Sequence, residues 1–424
     1  MSIRFAASLA VVAFWCGSVS AQEARVLTLE AAFARTLEKH PDLTRFDYLR
    51  EGASATLEAE SLRPPLRVEL ELENAPRTRQ DSAFASAEGT LSLASVFERG
   101  DKRQARVAIA GAQLESLALR EEQSRADLLA EVARRFLDLV AAQAMADLAA
   151  TDVAQREKAF EAAAQRVRAG GTPESVRFAA DAALARAMLQ RDRQSTRAQA
   201  AGLRLAILWG SRQPDFERAA GDILAIPPTP SLQALREMLE QSPELRLYAD
   251  ESRLREARVQ LAQSARSADL EWRAGLRRLE EDGSWAGVVG VSMPLGAASR
   301  AEPGIRAARA ELAALALEHE SESLSLEATL VEAWVRLSSA RAEVVAARDV
   351  LLPKFDQAER ASERAFRAGA LTHTEWAQVH WDAMETRREL LLAALEAHRA
   401  LIEIQRLTGS PFTTAITPRP ETQP

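Results

Sequence analysis

The side chains best suited to bind a metal or begin a reaction are five histidines, one cysteine and a scatter of carboxylates. The closest histidines in sequence, His373 and His380, are seven residues apart, which on a helix separates their Cα atoms by roughly 10 Å along the axis. Such a pair cannot chelate one ion without help, and His40, His319 and His398 are far more remote. There is no His-Glu-x-x-His helix, no phosphate-cradling glycine loop and no strand-turn-helix nucleophile elbow. No catalytic residue, cofactor site or resident metal site is therefore expected. The chemistry that remains is electrostatic.

The most ordered charges alternate with apolar residues. In Leu66-Arg67-Val68-Glu69-Leu70-Glu71-Leu72-Glu73 every second side chain is apolar and the others are ionic, so a strand there carries one greasy face and one charged face. Leu270-Glu271-Trp272-Arg273-Ala274-Gly275-Leu276-Arg277 alternates likewise. Each segment has a partner strand, about 89–97 and 285–293, with the first members at about 66–74 and 269–279. Such lengths approach the roughly 9 to 11 residues of a tilted transmembrane strand. On that reading Glu69, Glu71, Glu73, Arg273 and Arg277 line water, while Trp272 and Trp285 sit at the lipid interface.

The strands belong to a unit that occurs twice. Leu37-Glu38-Lys39-His40-Pro41-Asp42-Leu43 returns as Leu239-Glu240-Gln241-Ser242-Pro243-Glu244-Leu245, and Arg168-Ala169-Gly170 as Arg367-Ala368-Gly369. A period of about 200 residues is too long for a solenoid. Each half reads helix, two strands, a very long helix, a glycine turn and a shorter helix. Asp101 to Arg168 contains no proline and only Gly111, so a continuous helix there runs about 100 Å. The second long helix is expected over Glu302 to Arg367, with Pro303 and Gly304 in its first turn. Leu128, Leu129, Val132, Phe136, Leu139 and Val140 form one narrow apolar stripe, and Leu324, Leu326, Leu330, Trp334 and Leu337 another. With alanines beside them, these stripes predict antiparallel hairpins with helices about Glu174 to Leu208 and Glu375 to Leu407.

Residues 1–21 read as a secretory signal: Arg4 is the sole charge, an apolar run spans Phe5 to Cys16, and small residues precede Gln22. Cys16, the only cysteine, leaves with it. Trp15 before it disfavours lipoprotein processing, which wants a small residue there. The net charge of −7 argues against nucleic acid as a partner. Aromatics at 5% suit an elongated helical protein better than several globular cores. The chain thus divides into the signal, a first repeat 22–210, a linker 211–230, a second repeat 231–411 and a flexible tail 412–424.

Four membrane-length strands cannot close a barrel, and an open edge in lipid strands backbone groups at several kcal/mol each. Copies must share one barrel. The smallest single-chain outer-membrane barrels hold about 8 strands, and three copies would supply about 12, wide enough for a lumen.

Together the paired Leu-Glu-x-x-Pro-(Asp/Glu)-Leu segments, the Arg-Ala-Gly turns and the closing Leu208-Trp209-Gly210 and Leu407-Thr408-Gly409 make the chain, to about Phe412, resemble the TolC-like outer-membrane efflux proteins. Ser95-Val96-Phe97-Glu98-Arg99-Gly100-Asp101-Lys102-Arg103 and Gly290-Val291-Ser292-Met293-Pro294-Leu295 look most like the heavy-metal branch, although Gly296-Ala297-Ala298-Ser299 departs from its aromatic turn. The resemblance implies a mainly α fold with membrane β-strands: a homotrimer sharing one barrel in the outer membrane of a Gram-negative bacterium, continued by a helical tunnel across the periplasm. It further implies docking to a periplasmic adaptor (membrane fusion) protein and an inner-membrane resistance-nodulation-division pump. The docking tips would be Arg168, Ala169, Gly170 and Gly171 in one turn and Arg367, Ala368, Gly369, Leu371 and Thr372 in the other. The channel aperture would fall at Glu375 and Gln378, the second replacing the acid usual there. By themselves, Gly170 and Gly369 are also ordinary helix C-caps, and Glu375 an ordinary first-turn glutamate.

A drug-efflux or type I secretion duct of the same fold is the alternative within this class. From another class, a periplasmic coiled-coil adaptor or scaffold would also contain helical hairpins, but usually one, flanked by β domains.

Overall fold

A computed structural model describes residues 26–73, 87–279 and 283–412. The expected signal segment with Cys16, and the tail from Thr413, lie outside the described residues. The chain runs β1 (Val26–Leu27), α1 (Leu29–Lys39), α2 (Pro41–Ser61), β2 (Arg67–Glu73), β3 (Glu88–Phe97), α3 (Lys102–Arg168) and α4 (Glu174–Ala206). It continues with a short 3-10 turn, β4 (Arg218–Ala219), α5 (Leu232–Leu239), α6 (Pro243–Ser264), β5 (Leu270–Leu279), β6 (Trp285–Ser292), α7 (Ala297–Ala346), α8 (Leu352–Arg367) and α9 (His373–Thr408).

The duplicated proline segments are helix starts. Pro41 and Pro243 occupy the first helical positions of α2 and α6, where a missing N–H costs nothing. His40 Nδ1 accepts the Asp42 N–H and the Ser242 hydroxyl accepts the Leu245 N–H, so His40 is a cap rather than a ligand. Each strand pair passes into its long helix through left-handed backbone: Gly100 and Asp101 (φ 78° and 60°) before α3, and Gly296 (φ 75°) before α7. At Gly100 there is also no room, since a Cβ would lie 2.6 Å from Ser267.

The first long helix matches its expected span, whereas the second differs in two respects. It begins at Ala297 rather than Glu302, so Pro303 lies inside the helix instead of in its first turn. The Ser299 carbonyl that loses its donor there is at an exposed position. The helix is also interrupted: Ala347–Leu351 form a π turn before α8. The cause is Pro353, which has no N–H to offer the Asp349 carbonyl.

Helix α4 folds back along α3, and α9 folds back along α8 and α7 while also packing on α3. One core gathers Val132, Phe136, Leu139 and Val140 of α3 with Leu205, Trp209, Leu390 and Ile402. A second joins Leu326, Leu330 and Leu337 of α7 to Leu401, Ile404 and Leu407 of α9 and to Leu235 and Leu239 of α5. Ala130, Ala133, Ala394 and Ala397 intervene, and their small side chains let the backbones approach. The connection after the first repeat is laid onto this core: β4 pairs in parallel with β1, Ile223 is buried, and its carbonyl accepts the His398 Nε2 proton.

The larger sheet is antiparallel in the order β2-β3-β5-β6. Its central pairing, Thr90 opposite Arg277 and Ala94 opposite Arg273, joins the repeats. At Gly275 a Cβ would meet the Leu91 carbonyl at 2.4 Å, so the two middle strands require glycine there.

Gly52 lies within α2 with nothing near its Cβ position, so Gly52→Ala should stabilise the protein by about 0.5–1 kcal/mol. Gly100→Ala meets both a left-handed φ and Ser267 and should lower the melting temperature. Thermal unfolding of the two variants in detergent checks the opposite signs.

Candidate functional site

The sheet separates its side chains as the alternation requires. On one face Arg277 reaches Glu88 at 2.9 Å, Glu73 at 3.2 Å and the Thr90 hydroxyl at 3.0 Å, while Arg273 lies 4.0 Å from Glu71. Glu69 belongs to the same face, two positions along β2. Arg273 also lies over Gly290, whose absent side chain leaves it room. All five expected lumen residues thus share one surface.

The other face carries Val68, Leu70, Leu72, Leu91, Leu93, Leu276, Val289 and Val291, all exposed, Val289 by 81%. A continuous apolar patch of this kind marks a surface that something must cover. Trp272 and Trp285 both lie on it, Trp272 opposite Val291 and Trp285 opposite Arg278, whose guanidinium stands 5.6 Å from the Trp285 ring centre. The six residue steps from Trp272 to Arg278 on β5 set the two indoles roughly 20 Å apart along the strands, close to the height of an outer-membrane apolar band of about 25 Å. Among the described residues no helix is long and apolar enough to cross a membrane.

At the far ends of the hairpins the same turn is built twice. Gly170 and Gly369 adopt φ 73° and 78°. Gly171 N–H returns to the Arg166 carbonyl at 3.0 Å and Ala370 N–H to the Ala365 carbonyl at 2.9 Å, which closes the helix carbonyls in the manner of a Schellman cap. Arg168, Ala169, Gly170, Gly171, Arg367, Ala368 and Gly369 are exposed, and Leu371 tucks partly against Phe366 and Trp376. The two turns adjoin. Arg166 donates to the Phe366 carbonyl at 3.2 Å, stacks over that ring at 5.1 Å, and lies 3.2 Å from where a Gly369 Cβ would be. Sequence inspection passed over Arg166, because its partners lie about 200 residues away and no local spacing signals them.

Glu375 and Gln378 are exposed and one turn apart on α9. The Glu375 carboxylate accepts the Thr372 N–H at 2.9 Å while the Thr372 hydroxyl accepts the Glu375 N–H at 3.2 Å, a reciprocal capping box. The hydrogen bonds from the Thr372 side chain and backbone hold the carboxyl below its ordinary pKa, so it is charged at neutral pH. Gln378 donates to Asp382 at 2.8 Å.

His373 and His380 both pack on Trp376, and His40 and His398 are held by backbone groups elsewhere. His319 meets Tyr248 edge-on and His373 packs against Phe366 and Trp376. Among the described residues no group of three His, Cys, Asp or Glu is placed to hold a metal ion. His380 is the exception in its surroundings, being 4% exposed with a carboxylate on each ring nitrogen.

A two-faced sheet whose outer strands have no partner among the described residues, carried on paired helical hairpins, is the arrangement expected of an outer-membrane channel subunit. Residues 234–410 of the chain match the family model described as Outer membrane efflux protein. The chain is 26% identical over 330 residues, 78% of this chain and 79% of the relative, to the cobalt-zinc-cadmium resistance protein CzcC of Cupriavidus metallidurans. Solved structures share the fold: CusC (TM-score 0.75, 14% identity, 90% of this chain and 91% of the other) and the outer membrane channel CmeC of Campylobacter jejuni (0.73, 14%, 91% and 86%). A membrane protein from Pseudomonas aeruginosa aligns over 96% of this chain and 97% of its own, with a TM-score of 0.72 at 18% identity.

Arginine placed on the apolar face at the bilayer midplane costs about 2–4 kcal/mol. Leu70→Arg should therefore cut the yield of folded protein in vesicles, whereas Glu69→Ala, on the opposite face, should leave it near wild type. Protease-protected yield after refolding into vesicles reads both.

Proposed function

We propose that three copies join their sheets, edge β6 of one to edge β2 of the next, into a barrel of about 12 strands that crosses the outer membrane. The hairpins α3–α4 and α7–α8–α9 continue it as a tunnel into the periplasm. The observation that carries this reading is the sheet itself: four strands with an exposed apolar face, a charged opposite face and two edges unpaired among the described residues. Lipid covers the first and water fills the second, and only neighbouring copies satisfy the third. The subunit is a passive exit duct, with no catalytic step assigned to it.

The repeats divide as 22–210 and 231–411. The exposed turns at Arg168–Gly171 and Arg367–Thr372 serve as the docking tips for a periplasmic adaptor, which couples the duct to a proton-driven inner-membrane pump of the resistance-nodulation-division type. Heavy-metal cations are the substrate class, supported by the CzcC relative and by the branch-like segments at Ser95–Arg103 and Gly290–Leu295.

Mass measurement of the detergent-solubilised complex should return three chains, and loss of the gene should sensitise cells to zinc, cobalt or cadmium. A stable water-soluble monomer would end the channel reading.

Glu375 is assigned to the narrowest point of the tunnel. A ring of ionised carboxylates there attracts cations and repels anions. Glu375→Gln removes one charge per subunit with little volume, so cation selectivity and block by multivalent cations from the tip side should fall together in planar bilayers. Gln378→Ala should change both less. Glu375→Gln channels indistinguishable from wild type would put the aperture elsewhere and leave Glu375 with its capping role.

A further inference from the structure

Where the two hairpins meet behind their tips, His380 of α9 is enclosed between carboxylates from both. Its Nε2 lies 2.8 Å from Asp152 of α3 and its Nδ1 2.9 Å from Glu359 of α8. A neutral imidazole carries one N–H and could satisfy only one of these acceptors. Two ionised carboxylates on opposite ring nitrogens are both satisfied only by the imidazolium, which donates twice. We propose that protonated His380 is a latch pinning the second hairpin onto the first, so that the hairpin tips are tight at acidic pH and loosen as the ring loses its proton.

The surrounding charges support a doubly bonded cation. On α3, Arg156 bonds Asp152 at 3.0 Å. On α9, Arg387 bridges Glu359 at 2.6 Å and Asp356 at 2.7 Å, which positions both α8 carboxylates. Arg360 and Glu363 of α8 share the small cavity beside the ring. Burial works against the charged ring, but the hydrogen bonds to Asp152 and Glu359 outweigh it, and His380 titrates above the ordinary histidine value. His373, also on α9, is shifted the other way, by burial first and then by Arg156. The two histidines therefore titrate apart. Because the folded-state value of His380 is raised, the latch is fully engaged below the ordinary histidine pKa of about 6.5 and is lost as pH rises through the raised value.

A stacked column connects the latch to the tips. The Trp376 ring lies parallel to His380 with centroids 5.5 Å apart, and Phe366 stacks on Trp376 at 5.7 Å. Arg166 stands over the Phe366 ring at 5.1 Å and abuts the Gly369 turn. An imidazolium strengthens the first contact through cation–π attraction. Release of the proton leaves Asp152 and Glu359 facing a ring that can serve only one of them, and the column loses its anchored end.

The conclusion that this tunes a channel mouth rests on the function proposed above, whereas the latch between hairpins does not. Hydrogen exchange on the full-length protein in detergent reads the latch directly, with rates corrected for the pH dependence of intrinsic exchange. In the wild type, protection of peptides covering 152–171 and 359–376 should fall about tenfold for each pKa unit by which the ring is raised, as pH climbs from about 6.5 through the raised value. His380→Gln should flatten that dependence. Glu359→Gln, which keeps an acceptor but removes a charge, should move its midpoint to lower pH, and this shift tests the latch even if His380→Gln folds poorly. Wild-type protection independent of pH, or an unmoved midpoint in Glu359→Gln, would overturn the proposal. A pH-dependent exchange profile in a protein that conducts no current would support the latch and count against the channel reading alone.

Discussion

The constraint on which the structure depends is that its larger sheet cannot stand alone in any solvent. Water is excluded by the apolar face of Val68, Leu70, Leu72, Val289 and Val291. Lipid is excluded by the outer edges of β2 and β6, which have no strand partner among the described residues, since each N–H or carbonyl left without a partner there costs several kcal/mol. Apolar cover on one face, water on the other and strand partners at both edges are needed together. The charged face fits this demand, because Arg277 serves Glu73, Glu88 and Thr90 at once and so keeps the acids of neighbouring strands from repelling one another.

The helices meet a different demand, that of remaining straight and paired over a great length. Their solution is small residues: Ala130, Ala133 and Ala141 of α3 and Ala394, Ala397 and Ala400 of α9 allow close packing, with Phe136 and Leu330 as occasional large fillers. Ion pairs such as Arg134–Glu403 and Arg399–Asp138 join α3 to α9 across the repeats. Partly exposed, each is worth at most about 1 kcal/mol, so they favour one alignment of the helices more than they stabilise it. The β3–β5 pairing does the same at the other end, and the duplicated units become one body.

At the hairpin ends, local and long-range roles fall on the same residues. Gly170 and Gly369 close helices and at the same time bring two exposed loops to one place. Glu375 completes a capping box, and that hydrogen bonding keeps its carboxylate ionised at an exposed position. A residue that caps a helix is thereby also a dependable charge, which is what the aperture proposed at Glu375 needs.

Much of this was legible in the sequence because it follows from short periods. Alternation of charge and leucine in 66–73 determined which side chains of β2 share a face, and the absence of proline between Asp101 and Arg168 determined one unbroken helix. The recurrence of Leu-Glu-x-x-Pro and Arg-Ala-Gly determined the duplication. Local steric preferences of proline, glycine and β-alternating residues carry such information without tertiary context. The π turn at Ala347–Leu351 was open to the same reasoning, through Pro353, and was missed in favour of a continuous helix. What only the tertiary structure decided are the meetings of residues remote in the chain: Arg166 with Phe366, and His380 with Asp152 and Glu359. Nothing local distinguishes His380 from His398, yet one is clasped by two carboxylates and the other by a carbonyl. The difference arises because a side chain's protonation answers to whatever the folded helices place beside it, and that placement is set by the packing of whole hairpins.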